Sequence, residues 1–352
     1  MRIGVPKEVK PLEGRVALVP EACGDLVRQG HEVLVERGAG VASGFEDGDY
    51  ANRGVEVVAD AATLYRRAGL IVKVKEPWGE EVGLLRRHHL LFCFLHLAAN
   101  VDLMRRLCDI GLTAIAFETV ADATGLPILA PMSDIAGRIA VQVGTHLLHR
   151  PEGGKGLLLG GIPGVGRGRV VVLGAGQVGG NAARLAAGAG AEVIVFDRAR
   201  PRLEAMRAVG ANVTALYPYN DRIGEEVARA DLLIGAVLMP GARTPHLVSR
   251  EQVAEMERGS VIVDVSVDQG GCIETTRPTT YEAPTFVESG VIHFGVTNMP
   301  GAVPRSASRA LCAALMPWLG RLTGPDWRKD PALQAAVNVA DGDVIHPALK
   351  TL

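Results

Sequence analysis

Residues 170–197 open with Val170-Val-Val-Leu173-Gly174-Ala-Gly176-Gln-Val-Gly179, continue through an alanine-rich helical stretch, and close with Glu192-Val-Ile-Val-Phe-Asp197. This is a strand, a glycine turn, a helix, a second strand and an acidic residue at its end, the full context in which a G-x-G-x-x-G spacing has physical meaning. Gly174 allows the tight turn, and Gly176 lets a pyrophosphate approach backbone N–H groups at a helix N-terminus. Gly179 lets that helix pack close against the strand. Asp197 lies where a carboxylate can accept hydrogen bonds from an adenosine ribose. The segment predicts a dinucleotide-binding unit. A second glycine cluster, Gly160-Gly161-Ile-Pro-Gly164-Val-Gly166-Arg-Gly168, precedes a strand instead of following one, so it reads as a turn or flap without a phosphate role.

Further strands are expected at Asn212–Ala215, Asp231–Gly235, Ser260–Asp264 and Val291–Gly295. With 170–173 and 192–197 they make six, the number in a doubly wound dinucleotide fold. Upstream, short apolar strands at Arg2–Val5, Glu32–Glu36, Leu70–Val74, Leu90–Leu95 and Thr113–Ala116 alternate with helix-period segments near 20–30, 60–68, 80–87 and 101–110. That alternation builds a second parallel sheet covered by helices. Ser133 reads as the N-cap of a helix running to about Arg150. Beyond Pro304 a long helix, roughly Arg305 to Leu322, is followed by a short polar tail. The expected architecture is α/β with two domains. Residues 1–128 and 305–352 form a substrate domain, and 129–304 form a Rossmann domain inserted into it, with a cleft between the two sheets.

Composition narrows the function. The chain has 352 residues, 48% of them hydrophobic, and a formal net charge of −2 without a basic block. This argues against nucleic acid as a partner and against a polybasic membrane patch. No apolar run reaches the roughly 18–20 residues of a spanning helix, and the N-terminus begins a strand without a signal-peptide core. The five cysteines (Cys23, Cys93, Cys108, Cys272, Cys312) are scattered and never spaced C-x-x-C, a reduced, cytoplasmic pattern without a zinc site. Three sit in apolar surroundings, whereas Cys272 lies in a polar glycine loop open to exposure.

Four polar residues fall where strands of a parallel sheet end, which is where open α/β sheets bind ligands. They are Lys75 after Leu70–Val74, His96 after Leu90–Leu95, Asp268 after Val261–Val267, and Arg15 in the loop beyond the first strand. Each has a plainer reading. Lys75 can be a solvated loop residue, His96 a hydrogen-bonded edge residue, Asp268 the start of an Asx turn, and Arg15 a water-facing side chain. Their shared position favours function, because a carboxylate substrate needs Arg or Lys and a proton transfer needs His or Asp.

The segments Lys75-Glu-Pro, Phe94-Leu-His96-Leu-Ala, Ala130-Pro-Met-Ser133, Gly174-Ala-Gly176, Val267-Asp268-Gln-Gly-Gly-Cys272, Arg277-Pro-Thr-Thr-Tyr281 and Asn298-Met-Pro-Gly-Ala-Val-Pro304 resemble the alanine dehydrogenase and pyridine nucleotide transhydrogenase family. The similarity runs from Met1 to about residue 320, and it weakens in the tail. It implies NAD-dependent oxidative deamination of L-alanine to pyruvate and ammonia, and the reverse. It implies that Arg15 and Lys75 hold the substrate and that His96 and Asp268 move protons. It also implies cofactor contacts from Ser133, Gly174, Gly176, Gln177, Val178, Gly179, Asp197, Arg202, Val237, Leu238, Val265, Ser266, Val267, Asp268, Arg277, Val296, Thr297, Asn298 and Met299.

Family members are commonly homohexamers, and some carry a divalent metal in the last long helix. The matching stretch here, Arg321-Leu-Thr-Gly-Pro325, has no carboxylate or histidine, so the metal is not carried over. Asp197 disfavours a 2′-phosphate and so favours NAD over NADP, although Arg198, Arg200 and Arg202 follow it. The competing readings are a transhydrogenase subunit, a catalytically silent NAD sensor, and a dehydrogenase of another small amino or 2-hydroxy acid.

Overall fold

The computed structural model describes residues 1–237 and 244–350. The chain divides into two compact units, one built from Met1–Met132 with the segment from Gly301 onward, the other from Ser133–Pro300. Strands β1 (Arg2–Val5), β2 (Glu32–Glu36), β3 (Glu56–Val58), β4 (Leu70–Val72), β5 (Leu90–Cys93) and β6 (Thr113–Ala116) belong to the first unit. The second holds β7 (Arg169–Leu173), β8 (Glu192–Phe196), β9 (Val213–Leu216), β10 (Leu232–Gly235), β11 (Val261–Asp264), β12 (Thr285–Glu288) and β13 (Val291–Phe294). β14 (Val337–Ala340) and β15 (Asp343–Val344) return to the first.

In the second unit the order is β12-β13-β11-β10-β7-β8-β9, parallel throughout except for the antiparallel edge strand β12. This is the doubly wound order, with its switch point between β7 and β10. The first unit has β15-β14-β6-β5-β4-β1-β2-β3, the same winding with its switch point between β1 and β4 and two antiparallel strands added at one edge. Its strands are buried on both faces and so read as near-continuous apolar runs. A core of Leu34, Leu64, Ile71, Leu91, Leu107 and Ala114 fills one side of it. In the second unit Val171, Phe196, Val227, Leu233 and Ile262 do the same.

Several expectations need correction. Ser133 is no N-cap, because the helix starts at Ala130 and ends at Leu147, so Ser133 lies within its first turns. β4 stops at Val72 and β5 at Cys93, which leaves Lys75 and His96 in the loops beyond the strands. The segment 80–87 forms a 3₁₀ turn, Gly79–Leu84, in place of a helix. Cys272 is fully buried, its backbone N–H donating to Asp264.

The polar tail is also structured. Asp330 caps the short helix Pro331–Ala335 by accepting from the N–H groups of Ala332 and Leu333, and the chain then adds β14 beside β6. The sequence hides this strand because Asn338, between Val337 and Val339, is buried too. Its amide donates to Thr119 Oγ1 and to the Ala336 carbonyl, both at 3.0 Å, so a polar residue sits at a satisfied core position. β3 and β12 hold only two adjacent apolar residues each, too few for a strand signal. No helix among the described residues is long and apolar enough to cross a membrane.

Candidate active site

In the first unit the loops leaving β1, β4 and β5 at their carboxyl ends carry Arg15, Lys75 and His96, around the switch point where such sheets bind ligands. Arg15 is buried at 2% exposure, against the water-facing alternative. Its Nε donates to Glu13 Oε1 at 2.7 Å and its Nη2 to Glu13 Oε2 at 2.5 Å, a two-point grip that fixes the plane of the guanidinium. Its Nη1 lies 3.2 Å from Met132 Sδ. Lys75 is half-buried, and its pKa is lowered first by burial and next by the positive charge of Arg15. A cation pair of this kind suits an anionic ligand, whose charge would relieve both.

His96 has left-handed backbone, φ 48° and ψ 36°. The conformation is costly for a non-glycine residue, and the Glu118 carboxylate holds it by accepting the N–H of Leu95 at 3.2 Å and of His96 at 2.6 Å. The ring is about half exposed, stacks on Phe94 at 5.7 Å, and presents Nδ1 to Glu76 Oε2 at 3.5 Å. Glu76 is buried and also accepts from Lys10 Nζ at 2.5 Å. Burial works to raise its pKa, but the partners His96 and Lys10 outweigh it and bring it down to about 2.

Behind the Lys75 loop lies a buried charge network. Lys73, 1% exposed, pairs with Glu8 at 3.0 Å and Glu81 at 3.2 Å, and donates to the carbonyls of Lys75 and Glu76. Glu8 also accepts the Val74 N–H at 2.6 Å, and Tyr65 O–H donates to Glu81. Burial disfavours the charge on Lys73, yet the two carboxylates prevail and its pKa is raised, whereas burial pushes the Glu8 carboxyl up. The cage fixes the path of the backbone that carries Lys75 and Glu76.

In the second unit the glycine turn follows β7. Gly174 has φ +96°, and a Cβ there would meet the Ala236 carbonyl oxygen at 2.7 Å. At Gly179 a Cβ would stand 1.8 Å from the Gly174 oxygen, so only glycine lets the helix Gln177–Gly188 sit this close to β7. Around Gly176 the space is open, the nearest atom to a Cβ being Arg202 Nη1 at 4.0 Å. Gly176 caps the helix without a side-chain hydrogen bond, leaving N–H groups for an anion. A cavity of about 300 Å³ beside it is lined by Ala175, Gly176, Gln177, Asn181, Arg184 and Arg202, among others. These features fit a dinucleotide pyrophosphate.

Asp197 is buried and accepts the N–H groups of Ala175 at 2.8 Å and Ala199 at 2.7 Å, with Arg202 Nη1 at 3.4 Å. It therefore ties the glycine turn to the end of β8 as well as presenting charge. Val237 N–H donates to Ser266 Oγ at 3.0 Å, joining the loops after β10 and β11; Leu238 lies outside the described residues. Asp268 is exposed within the 3₁₀ turn Val265–Gln269. Buried Asp264 caps that turn through Ser266 N–H at 2.9 Å and accepts from Cys272 and Ile273. Burial raises the Asp264 pKa. Gln177 donates to Asp134 Oδ1, Arg277 packs over the Phe286 ring at 4.3 Å, and Asn298 is another left-handed non-glycine residue at φ 60°. The structure places Val178 in the first turn of the Gln177–Gly188 helix, and Ser133, Val296, Thr297 and Met299 in this same unit.

The sequence profile of the alanine dehydrogenase/PNT N-terminal domain matches residues 4–136, and that of the C-terminal domain matches residues 140–347. The chain belongs to the alanine dehydrogenase/PNT family. Alanine dehydrogenase of Halomonas elongata is 48% identical, covering 99% of this chain and 96% of its own length; that of Bacillus subtilis is 46% identical over 99% and 94%. A solved L-alanine dehydrogenase superposes with a TM-score of 0.96 at 48% identity, covering 100% of this chain and 98% of that one. The transhydrogenase of Sinorhizobium meliloti gives 0.87 at 27% identity, covering 99% and 100%.

For this member of the family, the sequence singles out Arg15, Lys75 and His96 but not the acids packed around them in the first unit, Glu8, Glu13, Glu76, Glu81 and Glu118, nor Asp264, which caps the turn carrying Asp268 in the second. One signal was present. Lys73 interrupts the apolar run Leu70–Val74, and a buried lysine demands carboxylate partners. For the glycine turn the expectation is sharp. Gly179→Ala forces the helix away from β7 and weakens NADH binding at least about tenfold, roughly 1.4 kcal/mol, in a fluorescence titration. Wild-type affinity in that variant would remove the close packing from the account of binding.

Proposed function

We propose that this chain is an NAD-dependent alanine dehydrogenase that converts L-alanine and water to pyruvate and ammonium, and runs the reverse amination. The observation that carries the reading is near-half identity to alanine dehydrogenases along the whole chain, combined with Arg15, Lys75 and His96 at the switch point of the first sheet. Bound NAD supplies the acceptor for the hydride that leaves Cα. The chain's own residues do the rest.

Gly174, Gly176 and the helix N-terminus hold the pyrophosphate. Arg15, its plane set by Glu13, grips the substrate carboxylate, and Lys75 polarises the oxygen that becomes the pyruvate carbonyl. His96 moves protons to and from the attacking water, and Asp268 shares proton transfer or steadies the amine. Two of the three arginines after Asp197 are engaged by carboxylates, Arg200 with Glu204 at 2.9 Å and Arg202 with Asp197. This pairing favours NAD over its 2′-phosphorylated form. The reading includes a cytoplasmic homo-oligomer, taken as a homohexamer by analogy with the family.

One assay tests the function. NADH oxidation with pyruvate is expected to depend on ammonium, and to be much slower with NADPH. Oxidation without ammonium would point to a 2-hydroxy-acid enzyme, and tight NADH binding without turnover to a sensor. Preference for NADPH would overturn the coenzyme assignment, and a monomer in sedimentation would overturn the oligomer.

A further inference from the structure

We propose that Glu76 is a positioning residue for His96, holding the imidazole with its proton on Nδ1 so that Nε2 is the nitrogen that works on substrate, and that Lys10 tempers this carboxylate from its other side. The proposal deepens the dehydrogenase reading above and rests on it for the chemistry, though not for the pairing itself.

Glu76 Oε2 is buried and has no hydrogen-bond partner, while Oε1 is taken by Lys10 at 2.5 Å. A buried carboxylate oxygen left unpaired is costly, and the group 3.5 Å away that can satisfy it is His96 Nδ1. A shift of a few tenths of an ångström closes a normal N–H···O bond. In a neutral imidazole a hydrogen bond at one nitrogen decides which one carries the proton. Glu76 asks for a donor, which places the proton on Nδ1 and leaves Nε2 as the acceptor. Phe94, stacked on the ring, and Glu118, which fixes the left-handed backbone, restrict how the ring can turn away.

Glu76 is itself fixed at both ends. The Lys73 ammonium holds its carbonyl at 3.4 Å, and Lys10, packed 5.4 Å from the centre of the Trp78 ring, holds its side chain. Because its pKa is drawn down to about 2, Glu76 stays ionised throughout the range in which dehydrogenases are assayed. Among the described residues, the charged groups acting on the pair include Lys10, Lys75 and Glu118.

The test uses the full-length protein in two arms. In ¹⁵N-histidine spectra, with the His96 signals assigned by their loss in His96→Gln, the wild type is expected to show the Nδ1–H tautomer. Glu76→Gln is expected to show a tautomer mixture. In the kinetic arm, the acidic limb of kcat for alanine oxidation is expected to move about one pH unit lower in Glu76→Gln. In Lys10→Met, where the carboxylate is no longer shared, it is expected to move higher, with KM for alanine little changed in both.

A structural role alone predicts no such opposite displacement. An unchanged His96 tautomer in Glu76→Gln would overturn the proposal, as would limbs that move in the same direction in the two variants. If the tautomer depends on Glu76 but wild-type enzyme does not deaminate alanine, the pairing stands and the dehydrogenase reading falls.

Discussion

Replacing His96 by alanine is expected to lower the turnover of alanine oxidation by about 10²- to 10⁴-fold, the range over which a positioned general acid–base acts. NADH affinity should stay at the wild-type value. The separation follows from the division of the chain: His96 belongs to the first unit, and the glycine turn proposed to hold the dinucleotide belongs to the second. Some stability is expected to be lost as well, because the ring is the group placed to pair with buried Glu76 Oε2, so turnover is compared per mole of folded enzyme. Alanine tolerates the left-handed backbone at this position poorly. His96→Asn, a residue that accepts φ > 0 more readily, is therefore the matched control and is expected to lose turnover to the same degree. Steady-state rates with a parallel NADH titration decide the matter. Near-normal turnover in both variants removes His96 from the mechanism, and a loss confined to alanine reassigns the effect to the backbone.

How far the sequence could be read depended on element length and on whether a residue acts locally. The glycine turn was legible because its three glycines serve one short strand–turn–helix unit, and the steric demand at Gly179 is local to it. β1, β2 and β6 were bounded to the residue because they are apolar runs ended by turn signals. β3, β12 and β14 were not, since none of them holds more than two adjacent apolar residues, and Asn338 hides the last by hydrogen-bonding inside the core. The carboxyl ends of strands pointed to Arg15, Lys75 and His96, since position along a sheet is readable once its strands are known. Their partners were not. Glu13 is two residues from Arg15, but Glu76 meets His96 across 20 positions and Glu8 meets Lys73 across 65, and only the order of the sheet brings such pairs together. The doubly wound order of the first unit explains why: the β1 and β4 loops are neighbours at its switch point although far apart in the chain.

Lys73→Met is expected to destabilise the protein by about 3–5 kcal/mol, the cost of breaking a buried ion pair by removing one partner. Methionine nearly matches the volume of the lysine stem, so the loss is electrostatic and not a cavity effect. Glu8 and Glu81 would be left facing each other in a site where the lysine is 1% exposed. The carbonyls of Lys75 and Glu76 would also lose their donor, so turnover should fall in whatever fraction remains folded.

The sign of the pH dependence follows from Glu8. Its folded pKa already lies above the ordinary value, because burial raises it more than Lys73 lowers it, and without Lys73 it must rise further. A carboxyl whose folded pKa is raised contributes stability below its unfolded pKa and loses it as pH climbs through the folded one. The deficit of the variant is therefore expected to widen as pH rises above the ordinary carboxylate range, measured by urea unfolding at each pH. Adding Glu8→Gln to Lys73→Met should recover part of the loss, a coupling that independent sites would not show. A variant within about 1 kcal/mol of wild type, the range of an exposed pair, with no dependence on pH, would mean that the cage around the Lys75 loop is held by something other than its buried charge.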